Sequence, residues 1–261
     1  MTNLTPLDTA HAAMQSAADD ATTRLRFFER LADSELFLLL EAEAQGETIK
    51  PEVFEVDEAK YVLVFDREER LAEFVEGVAH HATLSGRVVA RMLAGQGIGL
   101  ALNLGVAPSS ILIPADAMAW LGEILDETPD EILAKPVAIS APTGIPEPLL
   151  SALDSKLAIA AGLAKTAYLV AVDYEGGNSG HMLAIIDALP EAEGALAKAV
   201  SEAVSFSGFE TPLDVAFFAG DDPLIATLQN TGLRFDLPEK KLATHSPSAP
   251  GRDPENPPIL R

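Results

Sequence analysis

The sequence predicts an α+β protein of two domains, each a small mixed or antiparallel sheet with helices packed on it. Three observations carry this. Short apolar runs of strand character alternate with segments whose apolar residues recur at helical spacing. With 261 residues, 48% of them hydrophobic and 22% charged, the chain is globular in composition and long enough for two cores. A charged, proline-bounded stretch over 126–136, "DETPDEILAKP", divides it into halves. The expected partition is a flexible N-terminus over 1–20, a first domain over 21–128, a second over 129–235 and a disordered tail over 236–261.

In the first half, Arg24 to Ala32 is helix-like, and "SELFLLLEAEA" (34–44) reads as a strand ending in acidic residues. "KYVLVFDREERLAEFVEGV" (60–78) is the clearest unit: Tyr61 to Phe65 has a buried-strand pattern. Asp66, with Glu69 three residues on, resembles a capping box. Leu71, Phe74, Val75 and Val78 then fall at i, i+3, i+4 and i+7, one apolar helical face. A helix over about Ser85 to Leu93, a strand over 98–104 and a short strand Ile111–Ile113 follow. Pro114, suited to a first turn, opens another helix.

After the connector the order is strand (Pro136–Ser140), helix (about Glu147–Ala161), and two strands (Ala167–Asp173 and His181–Asp187) joined by "YEGGNSG". A helix (about Glu191–Ser205), a strand (Leu213–Phe218) and a closing helix with Asp222 as cap and Pro223 in its first turn complete it. Strand-helix-strand-strand-helix-strand is the split βαβ, ferredoxin-like order, with the joined strands as antiparallel neighbours and helices expected on one face. From Asp236 the chain turns proline-rich and aperiodic, with equal numbers of acidic and basic residues.

Composition excludes several functions. A net charge of −22 leaves no basic surface for phosphates, so neither nucleic acid nor an anionic membrane is an expected partner. The absence of cysteine removes disulfides, thiol catalysis and zinc–thiolate sites. No apolar run approaches the roughly 20 residues of a membrane span, and the first residues lack the pattern of a secretory signal. The expected compartment is the cytoplasm.

The glycines at 95, 97, 99 and 105 suggest a dinucleotide loop, but the order of elements is wrong. Such a loop needs a strand before the glycines and a helix after them; here "GRVVARML" precedes and "IGLALNL" follows. Position 100, where a third glycine belongs, is Leu. Gly95 reads instead as a helix C-cap, and Gly97 and Gly99 as strand-opening residues. "YEGGNSG" (174–180) reads as a hairpin loop. Of the histidines, His80 and His81 are neighbours that diverge on a helix, and His11 and His245 fall in the terminal segments. His181 lies within reach of Asp173 but reads as a polar strand end. Glu41 with Glu43, and Asp221 with Asp222, read as solubilising or capping carboxylates. No catalytic, cofactor-binding or metal-ligating residue is assigned, and no cofactor is expected.

Two stretches resemble the SseB, or enhanced-serine-sensitivity, family: Phe65-Asp66-Arg67-Glu68-Glu69-Arg70-Leu71 and Gly99-Leu100-Ala101-Leu102-Asn103-Leu104-Gly105, with Leu104 where the family usually has proline. Residues 135–235 are similar to its companion C-terminal domain; the family's short aromatic C-terminus is absent. The resemblance implies no catalytic residues and a link to serine tolerance. The expected function is a non-enzymatic cytoplasmic protein acting through an unknown protein partner or small ligand. Two alternatives stand: an enzyme or sensor for a small amino-acid-like metabolite in the inter-domain cleft, and an acidic chaperone-like partner of a basic protein.

Overall fold

The computed structural model describes residues 4–44, 46, 48–129, 136–175 and 177–238. Connector residues 130–135, and the tail from 239 onward with His245, lie outside them.

The chain begins with a helix where a flexible arm was expected. In α1 (Pro6–Ser16) the Thr5 hydroxyl accepts the Asp8 N–H at 3.1 Å, and the Asp8 carboxylate accepts the Thr5 N–H at 2.9 Å. With Pro6 in the first turn, this is a capping box that satisfies two free donors at once. Leu7 and His11 are buried on its inner face. The Thr-Pro-Leu-Asp signal outweighs the small polar composition around it.

Next come α2 (Ala21–Asp33), β1 (Glu35–Leu39), β2 (Val53–Val56), β3 (Ala59–Phe65), α3 (Glu68–Val75), β4 (His81–Ser85), α4 (Gly86–Leu93), β5 (Ile98–Leu102), β6 (Ile111–Ile113) and α5 (Ala115–Asp126). Their strands form one mixed sheet in the order β4-β1-β3-β5-β6, with β1 and β2 end to end along the same border of β3. β3 is central and buried on both faces. Val62 and Val64 enter the core under the helices, while Tyr61, Leu63 and Phe65 face α3, the alternation of a pleated strand. α3 differs from expectation at both ends. Arg67, not Asp66, is its N-cap and makes no side-chain cap bond, and Glu76 turns left-handed, leaving Val78 in solvent.

The second unit comprises β7 (Pro136–Ser140), α6 (Glu147–Ile159), β8 (Thr166–Tyr174), β9 (Ser179–Ile186), α7 (Glu193–Ser207), β10 (Leu213–Phe218), α8 (Ile225–Thr231) and an unexpected β11 (Leu233–Asp236). The element order is the one expected, but no strand separates the parallel pair. β9 and β10, joined through α7, are direct neighbours, and β7 and β11 lie end to end on the far border of β8. Helices are not confined to one face either: α6 and α7 cover one side, and Leu228 of α8 packs on the other. α8 starts later than expected, with the Asp222 carboxylate accepting the Leu224 N–H at 2.8 Å in the turn before it.

The helical layers of the two sheets face each other. Phe206 near the end of α7 leaves its own core and is buried in that of the first unit, 6.4 Å from Trp120 ring to ring. Trp120 in turn lies edge-on to Phe28 at 5.2 Å. The two units are therefore one packed body at this junction.

The glycine stretch is a backbone device. After α4 the chain turns through left-handed Gly95 and Gly97, and Gly99 enters β5 where no side chain fits. A Cβ there would lie 2.5 Å from the Ile113 carbonyl oxygen and 2.7 Å from the Tyr61 ring. Gly99→Ala is expected to cost about 1–3 kcal/mol by overpacking, read as a lower urea midpoint at unchanged slope; an unaltered midpoint would refute the close approach. Phe206→Ala is expected to cost about 3–5 kcal/mol, the usual range for a buried aromatic. A loss within 1 kcal/mol would mean that the junction contributes little.

Candidate functional site

Three polar clusters are candidates for chemistry, and they differ in whether their groups are already spent. The first is a closed ring inside the first unit. The Thr5 hydroxyl donates to Asp66 Oδ2 at 2.6 Å, the Asp66 N–H to Asn103 Oδ1 at 3.1 Å, and Asn103 Nδ2 to the Ser109 hydroxyl at 2.8 Å. Ser109 donates to Asp8 Oδ1 at 2.6 Å, and Asp8 returns to Thr5 through the capping box. Arg70 bridges the ring, with Nη2 on Asp8 at 2.5 Å and Nη1 on Asp66 at 2.7 Å. Asp8 and Asn103 are almost fully buried, and Asn103 has a left-handed backbone, which Asn tolerates better than most residues.

Burial alone would raise the Asp8 carboxyl; the bonds from Arg70, Ser109 and Thr5 outweigh it and hold the group well below the usual carboxylate range. Arg70 is pushed up, its own desolvation outweighed by the two carboxylates. Asp8 therefore stays ionised near neutrality, a fixed charge bonded to Arg70, Ser109 and Thr5. His11, beside it, is fully buried against Phe27, and its Nε2 has no partner among the described residues. Burial lowers it, against a bond with the Pro108 backbone and the charge of Asp8.

The second cluster fills the junction. Arg87 of α4 grips Glu202 of α7 at 3.0 Å and Asp33 of α2 at 2.6 Å. Lys156 of α6 reaches Asp33 at 2.7 Å, Glu202 at 3.5 Å and Glu29 at 3.9 Å. Burial raises Glu29, with Lys156 opposing; at Asp33 the bonds to Lys156 and Arg87 overcome burial and lower it. Ion pairs and aromatic rings thus occupy the place where an inter-domain cleft was expected.

The third cluster opens outward. On the α8 side of the second sheet, Tyr174, Met182, Asp214, Ala216, Phe218 and Leu224 line a groove of about 260 Å³. The Tyr174 hydroxyl donates to Asp214 Oδ2 at 2.5 Å, and burial, then this bond, pushes the phenol up. Sequence reasoning missed the pair. The signal lay in "LDVAFF": strand alternation puts Asp214 on one face with Ala216 and Phe218.

The other sequence candidates are dispersed. His181 directs Nε2 at the Thr143 carbonyl oxygen, 3.1 Å away, and Asp173 accepts from Ser179, so the two do not pair. His81 begins β4 with its ring against Phe37. His11 is in the core, not in a tail, because α1 carries it there. Glu41 is paired with Lys50. Among the described residues no group of three or more His, Asp or Glu converges as a metal site, and no helix is long and apolar enough to cross a membrane.

His11 and Asp8 both contribute to the acid response. Neutral His11 is favoured in the folded state, so unfolding takes up a proton and stability falls as the pH drops below about 6.5. Asp8, lowered on folding, adds stability that is full above about 3.8 and lost as the pH falls towards its folded value. His11→Leu is expected to flatten the dependence between pH 7 and 5 in urea titrations; an unchanged slope would place the proton elsewhere. Asp8→Ala leaves Arg70 without its bidentate partner and is expected to cost about 3–5 kcal/mol.

Residues 10–120, from within α1 to within α5, match the SseB protein N-terminal domain. No curated protein and no solved structure matches the chain. The matched span contains both stretches that carried the resemblance, and their Asp66, Arg70 and Asn103 meet in the buried ring. Residues 10–120 of the chain thus form an SseB N-terminal domain.

Proposed function

We propose that this is a non-enzymatic cytoplasmic protein that acts by contact, and that its contact surface is the groove on the outer face of the second sheet. One observation carries the reading. Of the three polar clusters, the ring and the junction are closed on their own partners, whereas Asp214 and Tyr174 stand at the wall of an open cavity. A pocket of apolar lining with a few placed polar groups is the usual form of a binding site. A metabolite held between the two units would have to displace Phe206 and release Arg87 or Lys156 from their carboxylates. That cost disfavours the cleft. The link to serine tolerance that the resemblance implies is then an indirect consequence of contact.

A thermal-shift screen of serine, other amino acids, keto acids and short peptides tests this. A ligand at 100 times its Kd stabilises by about 2.7 kcal/mol. Hits are expected to move the NMR signals of the Met182 methyl and Leu224, and to be lost in Ala216→Phe, which fills the groove. Hits that shift Trp120 and Phe206 instead, or that survive Ala216→Phe, would return the site to the junction.

A further inference from the structure

Resting on the groove as the contact surface, we infer that its occupant is an extended segment of a partner protein. It adds as a strand to the free edge of β10 and directs a Lys or Arg side chain to Asp214.

β10 is the end strand of its sheet. The carbonyls of Pro212 and Phe218 accept from His181 and Asp187, on the β9 side. In a parallel ladder the alternate residues Asp214 and Ala216 share that direction, so the backbone groups of Leu213, Val215 and Phe217 face outward. Among the described residues nothing pairs with them. At six residues β10 is longer than β2, β4, β6, β7 or β11, the other described strands at sheet borders. It has neither proline nor lysine, the usual guards of an exposed edge. Edge addition supplies affinity through backbone bonds, and pockets beside the edge supply selectivity.

The groove supplies the selectivity. Asp214 gives one oxygen to Tyr174, and no described residue donates to the other. Met182, Phe218 and Leu224 beside it suit the apolar stem of a long basic side chain. A lone carboxylate with a phenol is too sparse an oxygen set for a hard metal ion, which takes six or more ligands. Charge agrees: the chain carries −22, and Glu210, Asp221 and Asp222 bracket β10 in sequence. A cationic segment is drawn to this face and an anionic one repelled.

The test titrates the full-length ¹⁵N-labelled protein with an eight-residue peptide of alternating apolar residues around one central Arg. Two controls have Glu in place of Arg, or alternate backbone nitrogens methylated. The Arg peptide is expected to shift the Leu213, Val215 and Phe217 amides and slow their hydrogen exchange. The Glu peptide is expected to bind about tenfold or more weakly, the loss of one charge-assisted bond, and the methylated peptide likewise. Asp214→Asn is expected to abolish the preference for Arg, with circular dichroism unchanged. Equal binding of the methylated peptide overturns strand addition, and a preference for Arg that survives in Asp214→Asn overturns the role of the carboxylate. Small-molecule hits in the groove without any effect of the Arg peptide sink this inference alone. The failure of every probe to reach the groove sinks the contact surface as well.

Discussion

Phe206 lies on a helix of the second unit and is buried in the core of the first, and the arrangement of the two units follows from that displacement. Leu196, Val200 and Ala203 of α7 pack on their own sheet, while Phe206, at the end of the same helix, packs with the first unit's helices. The two helical layers are thereby pressed together, and the charges between them must be neutralised in place, which Arg87 and Lys156 do against three carboxylates. A solid junction leaves the outer faces. α3 covers that of the first sheet, with Leu71 and Phe74 against Tyr61, Leu63 and Phe65. The seven-residue α8 packs on that of the second, and beside it lies the groove.

The same logic explains what the two family stretches do. Asp66 and Arg70 come from one, Asn103 from the other, and Thr5, Asp8 and Ser109 close the ring around them. A buried carboxylate is tolerable only when its lone pairs are filled, and here several elements contribute to filling them. The ring therefore ties α1, the start of α3 and the loop after β5 to one another. The Arg70 guanidinium between two carboxylates is the centre of this tie.

Local patterns were legible in the sequence, and long-range ones were not. β3, α4, β8 and β9 stand where apolar periodicity puts them, because each signal lies within one element. α1 was legible too, from Thr5-Pro6-Leu7-Asp8, but the small polar residues around it masked the signal. Asp66 was misread because its partners are far off in the chain. With Glu69 nearby it fits a capping box, and only the fold brings Thr5, 61 residues away, to its carboxylate. Val78 continued a helical stripe on paper, yet left-handed Glu76 ends α3 first. The sheet orders had no local signature, so a parallel β9–β10 pair was indistinguishable from an interleaved one.

Tyr174 and Asp214 were missed for the reason that matters most for function. In a chain with 40 acidic residues, one more Asp in a strand carries no information. What separates Asp214 from the carboxylates held in ion pairs is its surroundings. Asp8, Asp33 and Glu202 are each held by a cation, and Asp187 is held by Lys165 and the Gly220 N–H. Asp214 has only a neutral phenol, and it sits beside apolar walls. A carboxylate without a counter-ion costs least where water still reaches it and gains most where an arriving cation can be desolvated with it. The mouth of a groove meets both conditions. The glycines that first suggested a binding loop meet neither: Gly99 is spent on letting β5 approach Ile113 and Tyr61. Asp214, unlike those glycines, keeps an oxygen to which no described residue donates, at the wall of an open groove.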